Sequence, residues 1–589
     1  MPRTTLALTS FVSGEFSPKM DGRTDFEKYA SGVKTLENFL VHPQGAATRR
    51  VGTQFIAEVK DSSKKTRLIP FEFSTTQTYV LEFGDQYMRV FKDKGQVLSS
   101  GSPFEISTPY LEAELFDLKF AQSADVLYIC HPNHDVRKLS RTGHTSWTLT
   151  TVSFTGSPSL PLSGANNRPS CVSFFEQRLV FANTNNNPQT LWFSKSGDYE
   201  NFTTGTNAAD AMIYTIASNQ VNAIQYLKAV RTLVVGTSGG EFTVSADGTD
   251  ASITPTNVTI KRQSSFGSAG VDAIPAGNAV LFLQRAKRKI RELAYNFDSD
   301  GYVAPDLTIL NDAVTKSGIN QMVYQQEPDS IIWCVRDDGV LAGLTYQRSE
   351  NVTAWHRHIF GGVFGSGNAV CESAASISGT LTEDEFWVIV KRTINGATKR
   401  YVECFSNFDF DEDDATSFRF LDSHLTYSGG ATTTLSGLDH LEGQSVSILA
   451  DGSVHANKTV SSGAITLDRS VTSACVGLSY DSVLQTMRIE GGAAEGTSQG
   501  KTKRISKVVL RLFETVGVKV GPSLDDLELV PFRTTSSSLS APVDTLLAGD
   551  KEIEFRDDYN SDGFIFIKQD QPLPCSVLAI YPTVVTSDG

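Results

Sequence analysis

Ile331-Ile332-Trp333-Cys334-Val335 is an unbroken apolar run, followed by a polar turn and then by Leu341–Tyr346. A run this short and this uniformly apolar reads as a strand covered on both faces, not as a helix. Six other runs have the same form: Tyr79–Phe83, Val126–Cys130, Leu179–Ala182, Leu233–Gly236, Ala279–Leu283 and Phe386–Val390. Successive starts lie roughly fifty residues apart, and a fixed period of that size marks a repeat architecture. Short strands precede most of them, such as Lys119-Phe120-Ala121, Val172–Phe175, Ala223–Tyr226 and Met322-Val323-Tyr324. Others follow, among them Tyr87–Phe91, Val136–Leu139, Glu241–Val244 and Arg400–Phe405.

Four short strands per period, packed radially, remove the long exposed edges that an open β-meander would leave. The expected fold class is therefore all-β, with a β-propeller-like domain of about seven blades. Two or three unrelated β-sandwiches with coincidental spacing are the competing account, since no Trp-Asp dipeptide or paired glycine marks the blades. The propeller is expected over 56–407, ending at the acidic segment Phe408–Asp414. A C-terminal β-sandwich or small barrel, with inserted loops, is expected over 408–589, and a turn-rich, charged N-terminal arm over 1–55.

Bulk properties narrow the functional classes. A chain of 589 residues exceeds one hydrophobic core and suggests about three or four units. The formal charge of -14 argues against nonspecific DNA affinity, while an acidic surface lets DNA pass without sticking. Seven scattered cysteines form no CxxC pair and sit mostly in apolar runs, as buried free thiols made in a reducing cytoplasm do. Met1–Thr9 has no signal-peptide core and no run of about 18 apolar residues occurs, so neither secretion nor a membrane span is expected.

Motifs that carry chemistry point elsewhere on inspection. Gly236-Thr237-Ser238-Gly239-Gly240 spells a nucleophile elbow, but a strand follows it where a helix is required, so a hairpin is expected. Gly496–Thr502 is one residue short of a phosphate-binding P-loop and reads as a surface loop. Asp558–Gly563 and Asn296–Gly301 open like calcium loops, yet their twelfth positions are Gln569 and Leu307; both read as Asp-Gly turns. His131-Pro132-Asn133-His134 and His356-Arg357-His358 lack companion ligands at metal-site spacing, and the acidic run Asp409–Asp414 reads as a solvated face. No catalytic residues, metal or cofactor are expected. One basic stretch, Gln284–Arg291, would present Arg285, Lys287, Lys289 and Arg291 on one strand face, toward solvent, an acidic partner or a polyanion.

The N-terminal segment carries a family resemblance. Phe11–Pro18, Gly22-Arg23-Thr24-Asp25, Lys28-Tyr29, Asn38-Phe39 and Pro43–Arg50 resemble the opening of the podovirus (short-tailed bacteriophage) tail nozzle, or tail tubular protein B-like, family. Gln177–Ala182, Asn187–Thr190, Ser194–Tyr199, Ala294–Phe297, Leu435–Gly443 and Leu449–Gly452 look similar too. The resemblance implies a virion structural protein: a homohexameric ring at the distal end of the tail, made in the host cytoplasm. It implies docking on the tail adaptor ring, carriage of fibres or spikes, gating of DNA ejection, and transient passage of genomic DNA without sequence-specific binding. Under it, Arg23, Tyr29, Arg49 and Arg50 belong to an assembly interface, with the arginines suited to bidentate pairing with a neighbouring subunit's acids.

Two other classes predict different observations. A glycan-degrading propeller of the virion requires carboxylates clustered at its centre. A glycan-binding module at the tail tip requires exposed aromatics and a monomer or trimer.

Overall fold

Each of the seven apolar runs is the second strand of an antiparallel sheet in the computed structural model, which describes residues 3–587 apart from 157, 159, 218–219, 249–250, 380–382, 492–496 and 533–545. These second strands are Gln77–Gly84, Val126–His131, Arg178–Ala182, Leu233–Thr237, Ala279–Leu283, Ile331–Arg336 and Glu385–Ile394. A strand flanked by neighbours in its own sheet and pressed between two sheets meets no water on either face, which is why its sequence does not alternate. Outer strands such as Ser146–Thr151 and Val258–Ser264 are partly exposed and correspondingly polar.

The sheets stand in a ring because each packs on the next. Phe71 meets Trp147 between blades 1 and 2 at 4.8 Å between ring centroids, and Tyr128 meets Phe174 between blades 2 and 3 at 6.0 Å. Phe193 and Leu233 share a core between blades 3 and 4, and Tyr226 lies 6.4 Å from Phe282 between blades 4 and 5. Leu281 and Ile332 join blades 5 and 6; Trp333 stacks on Phe386 at 4.7 Å between blades 6 and 7. Phe91 against Trp387, 5.9 Å apart, returns from blade 7 to blade 1 and closes a seven-bladed propeller.

Strand pairing also closes the ring. The outer strand of blade 7 is Thr53–Glu58, which precedes blade 1 in the chain and pairs antiparallel with Ala397–Phe405. The ring therefore cannot open without breaking a ladder formed by residues about 350 positions apart.

Residues 1–55 are not an arm. Gly32–Glu37 pairs with Ser482–Thr486, and Ala47–Arg49 pairs with the C-terminal strand Ser576–Ser587. Together with Thr502–Thr515, Leu547–Glu554, Phe566–Gln569 and Lys519–Ser523 they form two packed sheets, a β-sandwich built from both ends of the chain. Its core joins Leu36, Phe39 and Val41 to Leu484, Val508, Ile567 and Ile580. The segment looked like an arm because its strands are short and interrupted by 3-10 turns, so no local period reveals partners hundreds of residues away. A third sheet, Asp422–Ser436 with Ala464–Leu478, Ser445–Ala450 and Ser453–Thr459, lies between propeller and sandwich in sequence and has a core of its own. It touches the closing strand at His424 and Gln54.

Among the described residues no helix is long and apolar enough to cross a membrane.

Candidate functional site

The inner strands of the seven blades surround a cavity of about 940 Å³ along the propeller axis. Arg67 and Lys119 are each the first residue of an inner strand, Arg67–Ser74 and Lys119–Ser123, so register alone places both at one mouth. Lys119 reaches from blade 2 to the segment before blade 5, where its Nζ donates to the carbonyl of Gly270 at 2.6 Å and to Asp272 Oδ1 at 2.9 Å. That contact crosses the channel. Lys228 of blade 4 lines the same cavity, and its Nζ donates no hydrogen bond among the described residues.

Electrostatics in the channel follow from burial and from three cations that act on one carboxylate. Burial alone would raise Asp272, yet Lys119, Lys228 and Arg67 together hold it below the usual carboxylate range. Burial pushes Lys228 below its ordinary value; Asp272 restores part of the charge preference and Lys119 opposes it. Arg67, buried, donates through Nη1 to the carbonyls of Leu115 and Leu118 at 2.8 and 2.9 Å, and its Nε has no acceptor. The strand ends make the opposite mouth acidic. There Glu72 accepts from Ser378 N at 2.8 Å, and Asp384 accepts from Gln326 N and Glu327 N at 2.8 and 3.2 Å.

The basic stretch 284–291 does not form a strand face. Blade 5 turns there: Lys287 has φ 60°, and residues 285–289 are an exposed hairpin between Ala279–Leu283 and Ile290–Asn296. Arg285 is exposed, Lys289 pairs with Asp306 at 2.8 Å, and Arg291 lies 3.5 Å over the Phe266 ring while donating to the Ala304 carbonyl. Lys287 lines the channel cavity. Four like charges on one pleated face repel, and the turn separates them.

The residues assigned to an assembly interface divide. Arg50 is fully buried and pairs at two points with Asp422 of the same chain, at 2.8 and 2.7 Å. Arg49 is buried as well, donating to the carbonyls of Tyr480, Leu573 and Gln571. Neither is accessible to a neighbouring subunit, so their expected pairing across a ring is corrected: both work inside the chain. Tyr29 is buried with Phe16 and Met487, its hydroxyl donating to the Arg488 carbonyl at 3.3 Å. Arg23 is exposed and pairs with Asp25 two residues on.

Other motifs resolve locally. Thr237 pairs with Gly240 across a hairpin, so Ser238 sits in a turn and not on an elbow. Gly496 lies outside the described residues. Asn560 Oδ1 accepts from the backbone of Asp562 and Gly563, closing a turn. His356 and His358 are buried against each other, 2.6 Å apart. The expected absence of a companion to His131 and His134 is corrected, because Glu114 lies 2.8 Å from His134 Nε2. With His131 these form the one group among the described residues that could hold a metal ion. In this structure His131 Nδ1 accepts from Asn133 N, while Glu114 accepts from Leu111 N, Asn133 and His134. All seven cysteines are buried and unpaired, and burial pushes the Cys171 thiol up to about 12, leaving no reactive thiolate there.

Sequence reading missed the channel cluster. Its signal was the shared register of Arg67 and Lys119 at the heads of consecutive inner strands; Lys228 and Asp272 gave none.

No family model matches the chain, and no curated protein does. Solved structures similar to it are propellers. The Cps50 (Swd1) β-propeller domain of Myceliophteria thermophila aligns at 9% identity and TM-score 0.37, covering 60% of this chain and 100% of that one. The Pan2 WD40 domain of Neurospora crassa aligns at 8% identity and TM-score 0.35, covering 62% and 96%. YCF48 bound to D1 peptide aligns at 11% identity and TM-score 0.34, covering 64% and 100%. The propeller assignment stands on the closed ring of blades described above, not on these superpositions.

Proposed function

We propose that this chain is an architectural subunit of a virion and not an enzyme: six copies form the distal nozzle ring of a short-tailed phage tail, dock on the adaptor ring, carry fibres or spikes and gate DNA ejection. One observation carries the reading. The residues through which the chain resembles that family are used to fasten the propeller to the sandwich. Glu15 accepts from Leu36 N and from Arg357 of blade 6, both at 2.9 Å. Asn38 donates to the carbonyls of Ile359 and Asp481 and accepts from Arg50 Nε at 2.9 Å. Arg49 and Arg50 complete the junction. Largely buried, hydrogen-bonded polar groups of this kind hold two modules in one orientation, which suits a ring that bears load. The net charge of -14 suits a surface past which DNA slides.

The test is the oligomeric mass of the purified protein by light scattering, with negative-stain images of the same fraction, with and without the adaptor. Hexameric rings with a central channel, formed alone or on the adaptor, are expected. A monomer that stays single on mixing with the adaptor would overturn the proposal and favour a glycan-binding or glycan-degrading propeller.

A further inference from the structure

We propose that the propeller channel contains a binding site for a phosphate group, held by Lys119 and Lys228, with Arg67 adding positive charge. This inference concerns the propeller axis of one chain and does not depend on the ring.

The argument is one of charge and unspent donors. Lys119, whose side chain is only 9% exposed, already crosses the channel to Asp272. Lys228 and Arg67 line the same cavity and act electrostatically on the same carboxylate; a second anion, Asp117, sits exposed near Arg67. Cations brought together repel unless an anion joins them. Lys228 has three ammonium protons and no hydrogen-bond acceptor among the described residues, and Arg67 Nε is buried without one. The ammonium group of Lys228, facing a cavity of about 940 Å³ beside Lys119, matches an oxyanion that can accept charge-assisted hydrogen bonds. An apolar ligand would strand the lysines. The cavity also has room for more than the phosphate itself, so the group could arrive as free phosphate or as a monoester on a small molecule.

Asp272 makes the test directional. It competes with an incoming anion for Lys119 and Lys228, so neutralising it and removing Lys228 act in opposite senses. Binding of inorganic phosphate to the full chain is measured by calorimetry at constant ionic strength, with chloride as the competing ion. Saturable binding is expected, weakened about tenfold or more by Lys228→Met and strengthened severalfold by Asp272→Asn. A variant that merely misfolds cannot show the gain. Glucose 6-phosphate binding more tightly than inorganic phosphate assigns the site to an esterified phosphate; equal affinity assigns it to the free ion. No saturable binding, equal affinity in the wild type and Lys228→Met, or a loss in Asp272→Asn would each overturn the proposal.

Discussion

Arg50 and Asp422 form a two-point ion pair, Nη1 to Oδ1 at 2.8 Å and Nη2 to Oδ2 at 2.7 Å, with neither side chain exposed to solvent. They sit 372 residues apart in sequence. Asn38 takes the remaining Nε proton, the Tyr480 ring lies 3.8 Å from the guanidinium, and Gly361 N donates to Asp422 at 2.8 Å. The pair stands where sandwich, propeller and third sheet meet.

Removing one member strands the other in a dry site. Arg50→Met should cost about 3–5 kcal/mol, whereas Arg50→Met with Asp422→Leu should cost clearly less than the two single changes summed. Urea unfolding of the four proteins, read by tryptophan fluorescence, measures the coupling; additive costs would contradict it.

Acid should loosen the same region through histidines. Burial pushes His424 and His440 each down to about 4, so both stay neutral in the folded chain. In the unfolded chain they take a proton below about 6.5. Their contribution is therefore fully present above that value and is lost as pH falls toward about 4, at about 1.4 kcal/mol per pH unit for each. The His424→Gln, His440→Gln double variant should show a correspondingly shallower fall in stability between about pH 6 and pH 4.5.

Glu82 works in the opposite direction. Burial pushes its carboxyl up to about 7, against the hydrogen bond donated by Tyr87. The folded chain keeps a proton that the unfolded chain releases, so this group lowers stability as pH rises from about 4.5 to 7. Glu82→Gln should flatten that slope and exceed the wild type by roughly 2–3 kcal/mol at about pH 8. Melting temperatures of both proteins across the range provide the check.

Gly52 precedes the strand that closes the propeller. A Cβ there would meet the Leu421 carbonyl oxygen at 1.9 Å, and that backbone is fixed by the Gly52 N–H bond to Arg419. Gly52→Ala should cost about 2 kcal/mol or more and speed hydrogen exchange across Thr53–Glu58 relative to blades 2 to 5. Unchanged exchange in that strand would count against its role as the latch.

The ring of blades was legible in the chain because each blade repeats one local event. An unbroken apolar run such as Ala279–Leu283 marks a strand covered on both sides, and its recurrence is visible without knowing any contact. Turn motifs were legible for the same reason: Gly240 and Gly563 act within a few residues of their partners. The basic stretch misled because Lys287 adopts a left-handed turn, which the alternation of charges does not reveal.

By itself, then, the sequence determined the all-β class, a repeat of about seven blade-sized units and the burial of the cysteines, all of which follow from local apolar pattern. Tertiary structure alone decided that residues 1–55 belong to a sandwich and a closing strand, that Arg49 and Arg50 face inward, and that Lys119 meets Asp272 across the axis. The reason is physical. A buried strand declares itself through its own side chains, whereas a pairing between residues hundreds of positions apart depends on where the whole ring places them, and no short window of sequence holds that information.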